Sequence, residues 1–199
     1  MKRKLEKALL SQIPAEQAEL ALVRYRYWYN FLYHQVEFNI ESKLHGVVHS
    51  SRVLLYAVIL GYRLNLNEQE LDTLCWSATF HDSYRYDDGA DIGHGERAST
   101  YYRQYCQQHQ LAVNEIAICL MKCHDRVDDF GIQYITKHLP NDAEAIRLYK
   151  IFKDADGLDR FRLGEQYFNP AYLRTSEAKQ LVNFAQNIVA NTGGVELES

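Results

Sequence analysis

The sequence predicts an all-helical protein, folded as one helical domain of 199 residues. Three observations predict it. Turn-forming residues are scarce, with 10 Gly and 3 Pro, so the elements must be few and long. Several stretches run far longer than a strand without meeting a helix breaker. Cap signatures stand where helices should begin, as in Asn67-Glu68-Gln69-Glu70 and Asn141-Asp142-Ala143-Glu144. Hydrophobic residues make up 47% of the chain, enough to bury a sizeable core.

Taken in order, the first element is a long N-terminal helix from Pro14 to about Ile40, since proline suits a helix's first turn. Its segment Arg24-Tyr25-Arg26-Tyr27-Trp28-Tyr29-Asn30-Phe31-Leu32-Tyr33 is aromatic nearly all round. Such a helix is either buried or meets a partner; core is the first reading, a homodimer surface the alternative. The cluster Lys2, Arg3, Lys4 reads as a solvated first turn. The next helix spans Val47 to Leu64, and the one capped at Asn67 runs to about His81. Residues 82–95 are polar, carry Gly89, Gly93 and Gly95, and read as a loop. Helices follow over 96–109, 113–124 and 128–138. The cap at 141–144 opens a helix through Ile146, Leu148, Ile151, Phe152 and Ala155. Thr175 caps a last helix to about Ala190, and the tail is expected to fray. The implied division is an N-terminal helical extension (1–43) packed on a core domain (44–190), with a disordered tail (191–199).

The formal net charge of −4 argues against wholesale binding to nucleic acid or anionic membrane. No stretch approaches the roughly 20 apolar residues that span a bilayer, and no signal segment opens the chain, so the expected location is cytoplasmic. Cys75, Cys106, Cys119 and Cys123 form no CxxC pair. Reduced core thiols are the first reading, and a second metal site at Cys119 and Cys123 the alternative.

The chemistry lies in the histidines. His49 stands near one helix start. His81-Asp82 ends another helix and opens the glycine-bearing loop, which His94 closes. His124-Asp125 ends a third, and Asp154-Ala155-Asp156 interrupts an apolar helix face. Imidazole and carboxylate together suit divalent Mn, Fe, Co, Ni, Zn or Mg. Alone, each piece has a bland reading: a lone His is usually structural, and Asp154 and Asp159 read as solvated. The ordered set is what points to a metal.

Three segments carry a resemblance: His45-Gly46-Val47-Val48-His49-Ser50-Ser51-Arg52-Val53, Phe80 to Gly95 beginning Phe80-His81-Asp82-Ser83-Tyr84-Arg85, and Asp154-Ala155-Asp156-Gly157-Leu158-Asp159. Together the patterns HGxxHxxRV, FHDxxRxxDGxDxxHG and DADxLD resemble the HD superfamily of metal-dependent phosphohydrolases, and in particular small bacterial HD proteins. The resemblance covers roughly residues 44 to 178. It implies an HD-type helical bundle in which His49, His81, Asp82 and Asp156 ligate a metal. His94 and His124 match the additional histidines of two-metal members, with Asp82 bridging; otherwise they face the substrate phosphate. The chain has no second His beside His124. A more distant likeness, to the phosphodiesterase domains of SidE-type effectors, implies a metal-free route through His45, His49, Glu96 and His124.

The expected activity is hydrolysis of a small, nucleotide-like or other phosphorylated substrate, with Asp82, Arg85, His94 and His124 as catalytic residues. Arg85 is the first candidate for the phosphate, because arginine binds it bidentately. Arg52 is equally suited to phosphate or to a buried carboxylate. His45, Asp87, Asp91 and Glu96 complete the expected substrate contacts, although Asp87, Asp88 and Asp91 also read as solvated loop carboxylates. Arg97 and Lys122 read as surface charges. The alternatives are a metal-free phosphodiesterase, a di-iron oxygenase, a non-catalytic sensor or scaffold, and a purely structural helical protein.

Overall fold

The computed structural model describes residues 1–140 and 142–193. It is all-helical, with no strand among the described residues. The α-helices are α1 (Lys2–Leu10), α2 (Ala18–Gln35), α3 (Val47–Arg63), α4 (Glu68–Phe80), α5 (His94–Gln108), α6 (Glu115–Cys123), α7 (Asp128–His138), α8 (Ala143–Leu158), α9 (Ser176–Gln180) and α10 (Val182–Thr192). Short 3-10 turns fill much of 159–172.

Helix α3 is the axis of the bundle. Every residue from His49 to Gly61 is buried, and α2, α4 and α8 pack around it. Its sequence reads Val53-Leu54-Leu55-Tyr56-Ala57-Val58-Ile59-Leu60, apolar on all sides, and a helix with no polar face must lie inside. Leu5, Leu9, Tyr25 and Trp28 join the same core, so residues 1–43 share it with the rest of the chain. A smaller cluster, built on Phe80, Tyr102, Cys106 and Met121, fills the space between α2, α4, α5 and α6.

The aromatic run on α2 is largely internal. Trp28 and Phe31 meet Trp76 edge-on, with centroids at 4.5 and 5.2 Å, an arrangement that aromatic quadrupoles favour. Arg24 pairs with Glu68 and Asp72 and clamps α2 to α4. Leu20, Val23 and Tyr27 remain exposed on the outer face.

Two expected helices are subdivided. The N-terminal one, expected from Pro14, opens as a 3-10 turn at Ala15–Gln17 before α2 and stops at Gln35 rather than Ile40, while α1 lies ahead of Pro14, outside the expected span. The reason is competition for backbone groups. Past Val36 the chain is extended, and Asn39 N–H donates to Ser83 O at 2.8 Å while its side-chain amide donates to Arg85 O at 2.8 Å. Thr175 does cap a helix, its Oγ1 accepting from Ala178 N–H, but the chain breaks at Leu181 and restarts as α10. The asparagine–glutamate cap at 67–70 forms as a reciprocal box. At the second signature Asp142 is the cap; Asn191 and Thr192, expected in the disordered tail, close α10, and Asn141 and residues 194–199 lie outside the described residues.

One close approach matters for the site. A Cβ at Gly95 would lie 2.2 Å from Met121 O and 2.9 Å from His124 Nδ1, so α5 and α6 touch backbone to backbone there. At Gly61 the nearest atom, at 2.4 Å, is the tip of the Leu71 side chain, which can rotate away. Gly95→Ala is therefore expected to cost about 1–3 kcal/mol of unfolding free energy in denaturant titrations, and Gly61→Ala clearly less. Equal costs would mean that the α5–α6 contact yields as easily as a side chain.

Candidate metal centre

The site forms where α3, α4, α5, α6 and α8 present their histidines and aspartates to one point. His49 comes from the first turn of α3. His81 and Asp82 follow the last turn of α4, where the helix ends and adjacent side chains can converge. His94 opens α5, His124 caps α6 and Asp156 lies in the last turn of α8. His49 Nε2 lies 3.1 Å from His81 Nε2, 3.4 Å from Asp82 Oδ2 and 3.3 Å from Asp156 Oδ1. His81 Nε2 lies 3.8 and 4.0 Å from the same two carboxylates. His94 Nε2 and His124 Nε2 are 2.9 Å apart, at 3.0 and 3.5 Å from Asp82 Oδ1. Asp82 thus turns one oxygen toward each pair of histidines.

The tautomers follow from the other ring nitrogens. His81 Nδ1 lies 3.1 Å from Ala78 O, His94 Nδ1 2.8 Å from Asp91 O and His124 Nδ1 2.6 Å from Met121 O. A carbonyl only accepts, so each Nδ1 carries the proton. His49 Nδ1 donates likewise to Asp159 Oδ2 at 2.8 Å. The four Nε2 atoms therefore face inward, in two pairs 3.1 and 2.9 Å apart. Two such nitrogens this close repel unless a proton or a metal ion lies between them. Bonds of about 2.0–2.2 Å to a shared ion place neighbouring ligand atoms roughly 3–3.6 Å apart, close to the separations around His49. These buried His and Asp groups can hold a metal ion, and the protein-bound Nδ1–H groups are the partners that orient metal-ligating imidazoles.

The electrostatics point the same way. Burial raises the Asp82 and Asp156 carboxyls, but the surrounding imidazoles outweigh it and hold both well below the usual carboxylate range. Burial pushes His81 down to about 3. Burial and Arg162 also oppose charge on His49, yet hydrogen bonds from Asp156, Asp159 and Asp82 bring it up to about 9. One positive charge between the two rings satisfies the carboxylates, and a second would face the first.

The remaining expected residues divide. His45 is at the site: its Nδ1 lies 3.0 Å from Asp82 Oδ2 and 3.2 Å from Arg162 Nη2. Arg52 is not available to phosphate. It is buried and grips Asp159 bidentately, Nε to Oδ1 at 2.6 Å and Nη2 to Oδ2 at 2.9 Å. Arg85 reaches the site but is committed to the protein. Its Nε and Nη2 donate to Asp87 O and Gly89 O, and Nη1 lies 3.4 Å from Asp82 Oδ1 and over the His94 ring, 3.0 Å from Nδ1 and 3.1 Å from Nε2. Asp91 holds the loop, accepting from Tyr86 N–H and Arg97. Asp87 is exposed and turns its carboxylate onto Gly89 N–H, and Asp88 accepts from Ser42. Glu96 faces solvent and pairs with Lys122.

Asp154 and Asp159, read from the sequence as solvated, are fully buried. Asp154 accepts from Arg174 N–H, Thr175 N–H and Thr175 Oγ1, each at 2.8 Å, and ties the C-terminal segment to α8. Asp159 lies one turn beyond Ala155 and Asp156 on the same helical winding, a spacing that is the only hint of its inward position in the sequence. Arg162 and Lys153 were not expected at all. Lys153 Nζ donates to His124 O and Arg126 O. All four cysteines are buried free thiols, and none belongs to a metal-capable group among the described residues.

Comparison with family models, curated proteins and solved structures found no match to this chain. No helix is long and apolar enough to cross a membrane. Fold and site together define an all-helical protein with a buried histidine–aspartate centre.

Asp159→Ala leaves the Arg52 guanidinium buried without a counter-charge and is expected to cost about 3–5 kcal/mol in denaturant unfolding. The double variant Arg52→Met/Asp159→Leu should recover most of that loss, because it removes both charges together. A double variant as unstable as Asp159→Ala would show that packing around Asp159, rather than charge, sets the cost.

Proposed function

We propose that this protein is a metal-dependent phosphohydrolase of the HD type. The observation that carries the reading is the convergence of His49, His81, Asp82 and Asp156, with each imidazole's Nδ1 held by the protein and its Nε2 turned inward, in the order of the three motifs. The donor set, two imidazoles and two carboxylates, suits a borderline or hard divalent ion such as Mn, Fe, Co, Ni, Zn or Mg. Such an ion, when bound, supplies Lewis-acid charge that activates water and offsets charge on the phosphoryl oxygens. In the reaction the water oxygen forms a bond to phosphorus, the ester P–O bond breaks, and the leaving oxygen takes a proton.

The protein's own residues do the rest. Asp82, held between both histidine pairs, fixes the geometry of the centre. His124 faces the cavity beside Asp156, and although burial opposes its charge, Asp82 raises its pKa. Its Nε2 is the atom suited to protonating the leaving oxygen. Arg85 acts through Asp82 and His94 as a positioning residue. Its fixed positive charge beside the His94–His124 pair already offsets the charge that a second ion would serve, which favours one ion over two. The histidines and carboxylates also meet the needs of a metal-free phosphodiesterase, and metal content separates the two.

Elemental analysis of the purified protein should give close to one divalent ion per chain, and a screen of phosphomonoesters and phosphodiesters with each metal should reveal turnover that a chelator removes. His81→Ala and Asp156→Ala should lose the ion and the turnover while remaining folded. Turnover that survives chelation would replace the metal route by the metal-free one; a folded, metal-loaded protein inert toward every phosphoester would sink the hydrolase reading. Arg85→Ala should lower turnover by about 10²- to 10³-fold, the range typical for losing one electrostatic contributor. Its metal content should hold or rise toward two, since the competing cation is gone. A metal-free Arg85→Ala protein would make Arg85 a support of the first ion's ligands.

A further inference from the structure

A cavity of about 230 Å³ opens directly on the centre, with His124 and Asp156 in its lining. The rest of its wall comes from α8 and the 3-10 segment after it, and it is chemically two-sided. One side is cationic. Lys153 spends two N–H groups on the carbonyls of His124 and Arg126, at 2.8 and 2.6 Å, and stands 3.8 Å from Asp128 Oδ1, so it contributes charge more than a free donor. Arg160 donates its Nε to Tyr167 O at 3.1 Å, and its two Nη groups meet no acceptor among the described residues. Arg174, also in the wall, is by contrast consumed by Asp128, Asp154 and Tyr172 O.

The other side is aromatic. Phe168 is held in place by stacking on Phe161, centroids 4.1 Å apart. Tyr172 is 72% exposed and packs against no other ring among the described residues, leaving a large flat face beside a charged cavity. Between them Asn169 uses its Oδ1 to accept from Ala171 N–H and has its NH₂ left to donate.

We propose that this cavity is the specificity subsite for the leaving group and that it takes a planar aromatic or heteroaromatic ring carried on a phosphate ester. Arg160 binds a non-bridging phosphate oxygen, Tyr172 stacks on the ring, and Asn169 donates to a ring substituent. The size and lining argue against the other common phosphoesters. An acyl chain needs a longer apolar channel, and the exposed Tyr172 face offers a ring a stacking surface rather than hydrogen bonds to a sugar. The inference rests on the phosphohydrolase reading for the orientation of the phosphate toward the metal centre.

Two non-hydrolysable probes of equal charge isolate the ring: phenylphosphonate and methylphosphonate, titrated calorimetrically into the metal-loaded protein. Phenylphosphonate should bind roughly tenfold tighter, the scale of one aromatic stacking contact. Tyr172→Ala should erase that preference and Tyr172→Phe should keep it, and both should melt like wild type because the side chain is exposed. Arg160→Ala should weaken both probes about tenfold without changing their ratio. Equal affinity for the two probes in the wild-type protein, no binding of either, or a preference that persists in Tyr172→Ala would each overturn the subsite. Hydrolysis is read separately: a ring preference without hydrolysis of any ester upholds the subsite and removes the hydrolase reading, whereas hydrolysis without a ring preference does the reverse.

Discussion

The carboxylate of Asp159 is the point on which the site depends. It is fully buried, and its two oxygens hold Arg52 in a two-pronged ion pair and accept the Nδ1 proton of His49. A buried guanidinium is expensive unless its partner is equally well placed. Here the partner also directs an imidazole. The same carboxylate thus joins the first turns of α3 to the segment just past α8, more than 100 positions apart in sequence, and makes the stability of the core and the aim of His49 one problem. Arg52 extends the tie to the end of α10, donating to Gly193 O at 3.1 Å.

The other histidines follow the same rule with cheaper partners. Backbone carbonyls at the ends of α4 and α6, and in the loop before α5, take the Nδ1 protons of His81, His124 and His94. Helix ends leave carbonyls without intrahelical donors, so a histidine at a helix terminus finds an acceptor within its own last turn. This explains why the ligand-type residues sit at termini rather than in helix middles. It also concentrates lone pairs. Four inward Nε2 atoms and two ionised carboxylates make a centre that favours positive charge, whether a proton on His49 or a metal ion.

The two halves of that centre are not equivalent. Around His49 and His81 both carboxylates contribute and the neighbouring Arg162 stands off at the His45 side. Around His94 and His124 one Asp82 oxygen faces the Nε2 atoms, Asp125 lies on the far, Nδ1 side of His94, and the Arg85 guanidinium is within reach of both that Asp82 oxygen and His94. A permanent cation cannot be displaced by protonation, so it biases that half toward organising the loop. The carbonyls of Asp87 and Gly89 on Arg85, and the Asp91–Arg97 pair, give the polar 84–93 loop a defined path that its composition alone does not suggest.

Much of this was legible in the sequence. Helical class, most helix starts, and the residues His49, His81, Asp82, His94, His124 and Asp156 follow from local signals: cap residues satisfy their own helix's N–H groups, apolar periodicity marks the buried face, and the ordered histidine–aspartate pairs mark the chemistry. What local signals cannot carry is the choice of partner. Whether Arg52 meets phosphate or Asp159, and whether Asp154 and Asp159 are solvated or buried, depends on how α3 and α8 come together. The early end of α2 was likewise decided by Ser83 and Arg85, whose carbonyls draw the Asn39 donors away from the helix ladder. The sequence by itself determined which residues are able to bind a metal and which segments wind into helices, because both are set by side-chain chemistry and near-neighbour hydrogen bonds. Only the tertiary structure decided which charged groups are spent on one another and which stay free at the cavity, because a buried charge is settled by whichever opposite charge the packing delivers to it.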